Sequence, residues 1–314
     1  MTSKLENLPM PTKTEIQSRI LDRKNLGQDT VRRSFLKRLN KFTKIDTILY
    51  ASAFLGSGVG KPYPPFLLNL QLQDIQGFMT AVKGLSGDKL DLILHSPGGG
   101  LEAAEQIVNY LRSKYKYIRA IIPQNAMSAA TMIACAADEI VMGRQSAIGP
   151  IDPQLTFPTQ NGPVTTPAQA LLDEFELAKK EVSSNPATAV LWLGKLKDYP
   201  PGIIQVASDT VNLAKEKVAH WLRTYMFAND TAASDKAKQI ADWLGDAHLH
   251  KTHGHPISFD EAIQHGLIVK RLEDDPELQD MVLSVYHATT VTFEVTSCIR
   301  LIENHLGKGV FFKV

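Results

Sequence analysis

The sequence predicts an α/β fold, with a mainly parallel sheet in the first half and a mostly helical carboxy-terminal half. Between residues 45 and 142, short apolar runs typical of strands alternate with amphipathic helical stripes. After Pro150 the apolar spacing is almost entirely helical. Alternation of strands and helices is typical of βαβ crossovers. The chain of 314 residues, 44% of them hydrophobic, suffices for one large or two small domains.

The first half contains four predicted strands with helices between them. The strands are expected at residues 48–51, 90–94, 118–122 and 139–142, and the helices at 78–85, 103–111 and 129–137. Parallel sheets place their chemistry in loops at the carboxyl ends of strands. Two loops therefore come first as functional candidates, at residues 95–100 and 123–130.

The amino-terminal residues 1–43 are expected to form a helical arm. Phe35, Leu36 and Leu39 recur at helical spacing. Basic side chains surround them and predict a solvated face. This basic set is Arg32, Arg33, Lys37, Arg38, Lys41 and Lys44.

The second half is predicted to contain helices over residues 168–183, 187–196, 203–226, 232–244, 259–265 and 280–306. A loop rich in Pro, Thr and Gly, at 157–167, precedes them. These features divide the chain into the arm (1–43), an α/β core (44–155) that contains both candidate loops, and a helical region (156–314). The last helix carries more apolar surface than a local core needs, which predicts a subunit interface. The residues concerned are Met281, Val282, Val285, Tyr286, Val291, Phe293, Val295 and Ile299.

Composition excludes several classes of protein. A net charge of +1 gives no basic field for nucleic acid. Cys135 and Cys298 are too few for a disulfide framework, which favours a reducing compartment. No run approaches the about 20 apolar residues of a membrane span. We therefore expect a soluble, cytoplasmic protein.

The glycine-rich loop His95-Ser96-Pro97-Gly98-Gly99-Gly100 follows a predicted strand and precedes a helix. Glycines let backbone N–H groups turn toward a substrate, and N–H groups at a helix start attract a negative oxygen. A phosphate loop would use the same parts, but no Gly-Lys-Ser/Thr ending and no GxGxxG is present. A plain tight turn is the other alternative.

Ser128 lies in the second loop, among the small residues of the segment Asn125-Ala126-Met127-Ser128-Ala129-Ala130. Small neighbours suit a sharp strand-to-helix turn that presents a hydroxyl, as in a nucleophile elbow. Alone, Ser128 reads as a helix N-cap. Beside a glycine loop, it becomes a nucleophile whose oxyanion hole would be the N–H groups of Gly98 and Ala129.

The order of these motifs resembles the serine dehydrogenase proteinase family, in the Clp/crotonase superfamily and related to signal peptide peptidase A. The motifs are Ser-Pro-Gly-Gly at 96–99, Ala-Met-Ser-Ala-Ala-Thr-Met-Ile-Ala at 126–134 and Ser-Ala-Ile-Gly-Pro-Ile-Asp-Pro-Gln at 146–154. The resemblance covers residues 45–308. It implies a Clp/crotonase-type core and a serine peptidase acting on peptides or unfolded chains. Ser128 would be the nucleophile, Gly98 and Ala129 the oxyanion donors, and Gly99 a support for the loop.

The resemblance leaves two alternatives for the general base. Signal peptide peptidases use a lysine about fifty residues after the serine, and Lys180 follows Ser128 by 52 residues. A lysine acts as a base only where burial or neighbouring cations lower its pKa. The other alternative is His253 or His255 with Asp152, since triads tolerate different chain orders. We favour Lys180 at this point.

Other functions remain open on the sequence alone. The fold also hosts acyl-CoA enzymes, for which Glu102 is the one acidic candidate near the loops, and non-catalytic scaffolds. Alternating histidines at 248, 250, 253 and 255 are more typical of a polar loop than of a zinc site. No metal or organic cofactor is expected. The resemblance implies a homo-oligomer, and an ATP-driven unfoldase is a conceivable partner.

Overall fold

The computed structural model describes residues 16, 27–56, 63–159, 162–197 and 199–314. Its α/β architecture, with a largely parallel sheet, confirms the predicted fold class. The chain divides into two compact units. Unit 1 comprises residues 1–148 and 256–314, and unit 2 comprises residues 149–255.

Unit 1 is built on a seven-stranded sheet. The strands of this sheet are β1 Asp46–Ser52, β2 Lys89–His95, β3 Tyr117–Ile122, β5 Glu139–Met142, β9 Val269–Arg271, β10 Cys298–Asn304 and β11 Gly309–Lys313. Their order is β11-β10-β1-β2-β3-β5-β9; neighbours from β1 to β9 are parallel, and β10 pairs antiparallel with both β1 and β11. The short strands β4 Asn125–Ala126 and β6 Ala147–Ile148 pair separately. The predicted strands at 48–51, 90–94, 118–122 and 139–142 are confirmed.

Helices cover both faces of this sheet. Those of unit 1 are α1 Gly27–Thr43, α2 Pro65–Leu68, α3 Asp74–Val82, α4 Leu101–Lys114, α5 Ala129–Cys135, α11 Phe259–Gln264 and α12 Pro276–Val295. Phe35 of α1 and Val285 of α12 join one buried core with Leu301 of the sheet. On the opposite face, Gly77 lets α3 lie directly against Ile302, whose side chain would collide with any Cβ there. Strands covered on both faces explain the near-continuous apolar runs in the sequence.

Unit 2 consists of a β-hairpin and a group of helices. The hairpin strands are β7 Gln154–Thr159 and β8 Gly162–Pro167. The helices are α6 Ala168–Ser184, α7 Ala189–Leu196, α8 Ile203–Thr224, α9 Ala233–Leu244 and α10 Ala247–His250. Phe157 and Val211 share a small core. The hairpin lies where the sequence predicts a loop over 157–167, because the Thr and Val residues between the prolines pair across strands.

The predicted helix over 280–306 is wrong in its second half. Helix α12 ends at Val295, and residues 298–304 form β10. Both faces of β10 are buried, so its apolar spacing gives no alternation that would separate it from the preceding helix. With β9 and β11, this strand brings residues 256–314 into unit 1, whereas the sequence groups all of 156–314 together.

Most of the apolar surface that predicted a subunit interface is buried within the chain itself. Val282, Val285 and Val291 are fully buried and belong to the core cluster that includes Phe35 of α1. The amino-terminal helix α1 covers this face of α12, a contact that the apolar spacing of α12 alone does not reveal. Association into a homo-oligomer therefore stays a prediction that no longer rests on this helix.

The amino-terminal arm is a helix from Gly27 to Thr43, and the rest of the predicted arm, apart from Ile16, lies outside the described residues. Its basic residues do not all face solvent. Arg32 is buried and donates to Glu303 Oε2 at 2.8 Å and to Thr292 Oγ1 at 2.7 Å. The prediction of a uniformly solvated basic face is therefore wrong at Arg32, because the buried carboxylate of Glu303 requires a partner.

Within the described part of the chain, no helix combines the length and apolar character needed to cross a membrane.

Candidate active site

The glycine loop after β2 adopts a backbone that only glycine takes easily. Gly98 has φ 93° and Gly99 has φ 153°. A Cβ at Gly98 would lie 2.5 Å from Met127 O and 2.6 Å from Ser128 Cβ. The loop thus runs against the backbone of the serine turn, which explains the need for glycine there.

Ser128 occupies a sharp turn between β4 and α5. Its φ of 53° and ψ of −121° lie in a region that non-glycine residues rarely adopt. The hydroxyl caps no backbone N–H of α5 in the described structure, so Ser128 is not the ordinary N-cap that its position allows. The residue is half-buried while Ala129 and Ala130 are buried. A strained turn that presents a serine hydroxyl is the geometry of a nucleophile elbow.

Backbone hydrogen bonds join the two loops. Ser96 N–H donates to Asn125 O at 3.0 Å, and Met127 N–H donates to Ser96 O at 3.0 Å. This short parallel pairing extends the chain after β2 alongside β4. As a result, Gly98 and Ser128 are held next to each other. Both sequence candidates therefore lie in one place, at the carboxyl end of the parallel sheet.

The backbone N–H groups of Gly98 and Ala129 belong to the two residues that lie next to Ser128. Ala129 is the first residue of α5, where a helical N–H has no intrahelical acceptor. Gly98 N–H donates to Ser96 Oγ at 3.2 Å. A ligand oxygen that used Gly98 N–H would replace this long hydrogen bond.

Leu70 is a site-supporting residue that the sequence does not mark. Its N–H donates to Gly98 O at 2.7 Å, and its carbonyl accepts from Gly100 N–H at 3.1 Å. A Cβ at Gly99 would lie 2.2 Å from Leu70 O. The glycine loop is therefore clamped between Leu70 on one side and Ser128 on the other. Backbone pairing of this kind leaves no side-chain signature, and Leu70 reads simply as one apolar residue among several.

Asp152 and His253 form a hydrogen-bonded pair within unit 2. His253 Nδ1 lies 2.8 Å from Asp152 Oδ1, and Gln154 Nε2 donates to Asp152 Oδ2 at 2.9 Å. The carboxylate is 5% exposed and the imidazole 29% exposed. If Nδ1 carries the proton shared with the carboxylate, Nε2 keeps its lone pair and can accept a proton. An imidazole hydrogen-bonded to a buried carboxylate is the pairing that a base and its orienting acid have in catalytic triads.

The other predicted base candidates have different surroundings. Lys180 is exposed on α6, and its neighbour Lys179 pairs with Glu176 on the same helix. A lysine acts as a base only as the neutral amine, which burial favours, and the exposed side chain of Lys180 lacks such burial. The ring of His255 lies 5.3 Å from that of His250, and both oxygens of Asp152 are already engaged elsewhere.

Two further titratable residues are close to the site in sequence but buried. His95 ends β2, and burial lowers its imidazole pKa to about 3. Burial raises the pKa of the Cys135 thiol to about 12, which makes Cys135 a packed apolar residue rather than a nucleophile. Neither side chain is suited to proton transfer at neutral pH.

Comparison with known proteins identifies a family for this chain. The family model for ClpP-like SDH-type serine proteinases matches residues 31–291. An uncharacterized protein of Methanocaldococcus jannaschii is 30% identical over 201 residues, which cover 64% of this chain and 60% of that protein. A second uncharacterized protein of the same organism is 28% identical over 206 residues, covering 65% of this chain and 60% of its own. The chain thus spans less than two thirds of the length of these relatives.

Among solved structures, a mutant of the membrane-bound, stomatin-specific protease 1510-N aligns with a TM-score of 0.39 and 15% identity. The alignment covers 67% of this chain and 78% of that one. The family match covers both sequence motifs, the glycine loop and the serine turn. The chain belongs to the family of ClpP-like SDH-type serine proteinases.

Proposed function

We propose that this chain is a serine endopeptidase in which Ser128 is the nucleophile and the N–H groups of Ala129 and Gly98 stabilise the oxyanion. The observation that carries the proposal is the backbone of Ser128, strained at φ 53° and packed against Gly98. Non-glycine residues held in such conformations cluster at functional sites. A serine that only capped the helix would not require this strained backbone conformation.

His253, oriented by Asp152, is the general base of the proposed reaction. The 2.8 Å hydrogen bond to Asp152 supports it, and the exposure of Lys180 argues against the Ser–Lys dyad that the sequence favoured. The role of His253 rests on the chemistry of its pairing. Lys180 remains the alternative that the experiment below must test.

The proposed reaction follows acyl transfer in two halves. Ser128 Oγ attacks the carbonyl carbon of a peptide bond while His253 Nε2 accepts the hydroxyl proton. The negative charge that develops on the carbonyl oxygen is stabilised by Ala129 N–H and Gly98 N–H. The imidazolium then protonates the leaving amine, and an ester to Ser128 remains. Water, deprotonated by the same imidazole, hydrolyses the ester and restores the serine.

The resemblance extends the proposal to substrates and assembly. We propose peptides or unfolded polypeptide as substrates, a homo-oligomer as the working form, and a cytoplasmic location. Supply of substrate by an ATP-driven unfoldase is a further part of this hypothesis.

Hydrolysis assays on variants test the nucleophile and the base together. With a fluorogenic peptide mixture or casein, Ser128→Ala is expected to lower kcat by about 10⁴-fold or more, and His253→Gln and Asp152→Asn by about 10³-fold or more. Lys180→Met is expected to match its exposed neighbour control, Lys179→Met. The exposed His248, which lies 3.4 Å from Asp173, offers the control His248→Gln.

The pattern of losses separates the alternatives. Full activity of Ser128→Ala would refute the serine peptidase. An inactive Lys180→Met beside an active His253→Gln would instead establish the dyad. A pH profile adds an independent check, since an ordinary imidazole loses its proton near pH 6.5 and an ordinary lysine near about 10.4.

A further inference from the structure

Residues 67–74, which we call the strap, connect the sheet of unit 1 to the glycine loop. Leu70 lies in its middle and bonds both Gly98 and Gly100 through the backbone. The strap is irregular between α2 and α3, so its position depends on the groups that hold it. Those groups are side chains from neighbouring strands.

Arg300, on β10, is the main holder of the strap. Its Nη1 donates to Leu67 O at 2.7 Å and to Asn69 O at 2.8 Å. Its Nε donates to Asp74 Oδ1 at 3.0 Å. The Arg300 and Asp74 side chains are 1% and 0% exposed. One guanidinium therefore holds the backbone before Leu70, at Leu67 and Asn69, and the side chain of Asp74, where α3 begins.

Asp74 and two strand side chains complete this network. Asp74 Oδ2 accepts from Gln71 N–H at 3.0 Å and from Tyr50 OH at 3.1 Å. Ser52 Oγ donates to Leu68 O at 2.7 Å. Backbone groups of residues 67, 68, 69 and 71 are thus each held by a buried side chain, which leaves the N–H and carbonyl of Leu70 directed at the glycine loop.

We propose that Arg300 is a positioning residue for the oxyanion loop: through the strap, it fixes Leu70 and thereby the placement of Gly98 and Gly99 beside Ser128. A buried arginine is costly to desolvate, and apolar residues of similar volume would often stabilise a core as well or better. Its planar fork of donors bonds two carbonyls and a carboxylate at once, and a lysine ammonium, with its donors on a single atom, cannot reproduce this geometry. This inference rests on the proposed function for its catalytic consequence, and on geometry alone for its structural one.

The test compares Arg300→Lys with Arg119→Lys as a matched control. Arg119 on β3 forms an ion pair with the buried Asp91 on β2, at 2.8 Å, in the same sheet but with no bond to the strap. Both variants keep a buried or partly buried cation and weaken one arginine–aspartate pair. Hydrogen exchange is measured at the Leu70 and Gly100 amides and at reference amides in β2 and α12.

Arg300→Lys is expected to speed exchange at Leu70 and Gly100 by roughly 10-fold or more relative to the reference amides, and Arg119→Lys is not. In hydrolysis assays, Arg300→Lys should lower kcat by roughly 10- to 100-fold with little change in KM, because a displaced oxyanion donor affects the transition state more than substrate binding. A peptide aldehyde, whose adduct places an oxygen at the oxyanion hole, should bind more weakly by a similar factor.

Equal exchange at Leu70 and Gly100 in the two variants would overturn the proposal, as would equal kcat and aldehyde affinity. If the wild-type chain hydrolyses no peptide, the proposed function fails but the exchange comparison still decides the role of Arg300. Should Arg300→Lys not fold, the second variant is Asp74→Asn, whose single amide oxygen still accepts from Arg300 but whose NH2 group no longer accepts from Gln71 N–H. The same exchange comparison applies to it.

Discussion

Ser128 and Gly98 depend on each other through their backbones. A serine at φ 53° is strained by on the order of 1–3 kcal/mol, which the surrounding structure must offset. The backbone hydrogen bonds between Ser96 and residues 125 and 127 provide this support, and the absence of a Cβ at Gly98 provides the space. The conformation of Ser128 is therefore sensitive to the addition of a single methyl group at Gly98.

Gly98→Ala is expected to destabilise the protein by more than about 2 kcal/mol and to abolish reaction of Ser128 with a fluorophosphonate. The added Cβ would overlap Met127 O and Ser128 Cβ. Gly202→Ala is the matched control, because Gly202 also has a positive φ of 77° but open space around it, so it should cost only about 1 kcal/mol. Urea unfolding and labelling of both variants measure this; equal losses would contradict the close packing at Gly98.

His95 should make the protein sensitive to acid. Burial lowers its folded-state pKa to about 3, against about 6.5 in an unfolded chain. Because the unfolded state binds the proton more readily, the contribution of His95 is complete above about pH 6.5 and is lost as the pH falls toward 3. The slope is at most about 1.4 kcal/mol per pH unit, or about 2 kcal/mol lost at pH 5.

Urea unfolding of the wild type, His95→Gln and the exposed control His220→Gln at pH 7, 6 and 5 tests this acid sensitivity. His95→Gln should flatten the dependence of unfolding free energy on pH, whatever its stability at pH 7. His220→Gln should leave the dependence unchanged. A wild-type slope retained in His95→Gln would refute the assignment.

At the scale of elements, helix α1 shows how a buried ion pair replaces the solvated face that its composition suggests. Arg32 and Glu303 are both fully buried, and Arg33 also donates to Glu303. Phe35, Leu36 and Leu39 pack into the core on the same side. The helix is therefore an integral layer of unit 1, docked on α12 and β10.

Arg32→Met should lower the free energy of unfolding by about 3 kcal/mol, since it leaves the buried Glu303 carboxylate with the partly exposed Arg33 as its remaining ion-pair partner among the described residues. The exposed Lys37 on the same helix offers the control Lys37→Met, expected to change stability by less than about 0.5 kcal/mol. Urea unfolding of both variants is the measurement. Similar small effects would mean that α1 is only loosely attached.

Elements with a continuous apolar run or a helical period of apolar residues were predictable from the sequence, and β10, which buries charged residues, was not. The parallel strands stood out as apolar runs between helices, and the serine and glycine loops stood out by motif. Strand β10 was missed because Arg300 and Glu303 are buried within it, so no polar alternation distinguished it from a helix. The general base stays a prediction, because spacing along the chain favours Lys180, whereas the pairing of His253 with Asp152 is visible only in three dimensions.

At the scale of the whole molecule, the family match from residue 31 to 291 includes most of α1, most of α12 and all of unit 2. The near-zero net charge of +1 provides no long-range field for an oppositely charged substrate. Recognition of a polypeptide would then depend on short-range contacts around the serine. Every step of the proposed reaction depends on Ser128 being the nucleophile.

The most direct test is the site of covalent labelling by a fluorophosphonate. The wild-type chain should gain the mass of one adduct, and peptide mapping should find the adduct on Ser128. Ser128→Ala should gain none, and His253→Gln should react at least about 100-fold more slowly because its serine lacks a base. An unlabelled wild-type protein, or an adduct on any other residue, would contradict the central claim.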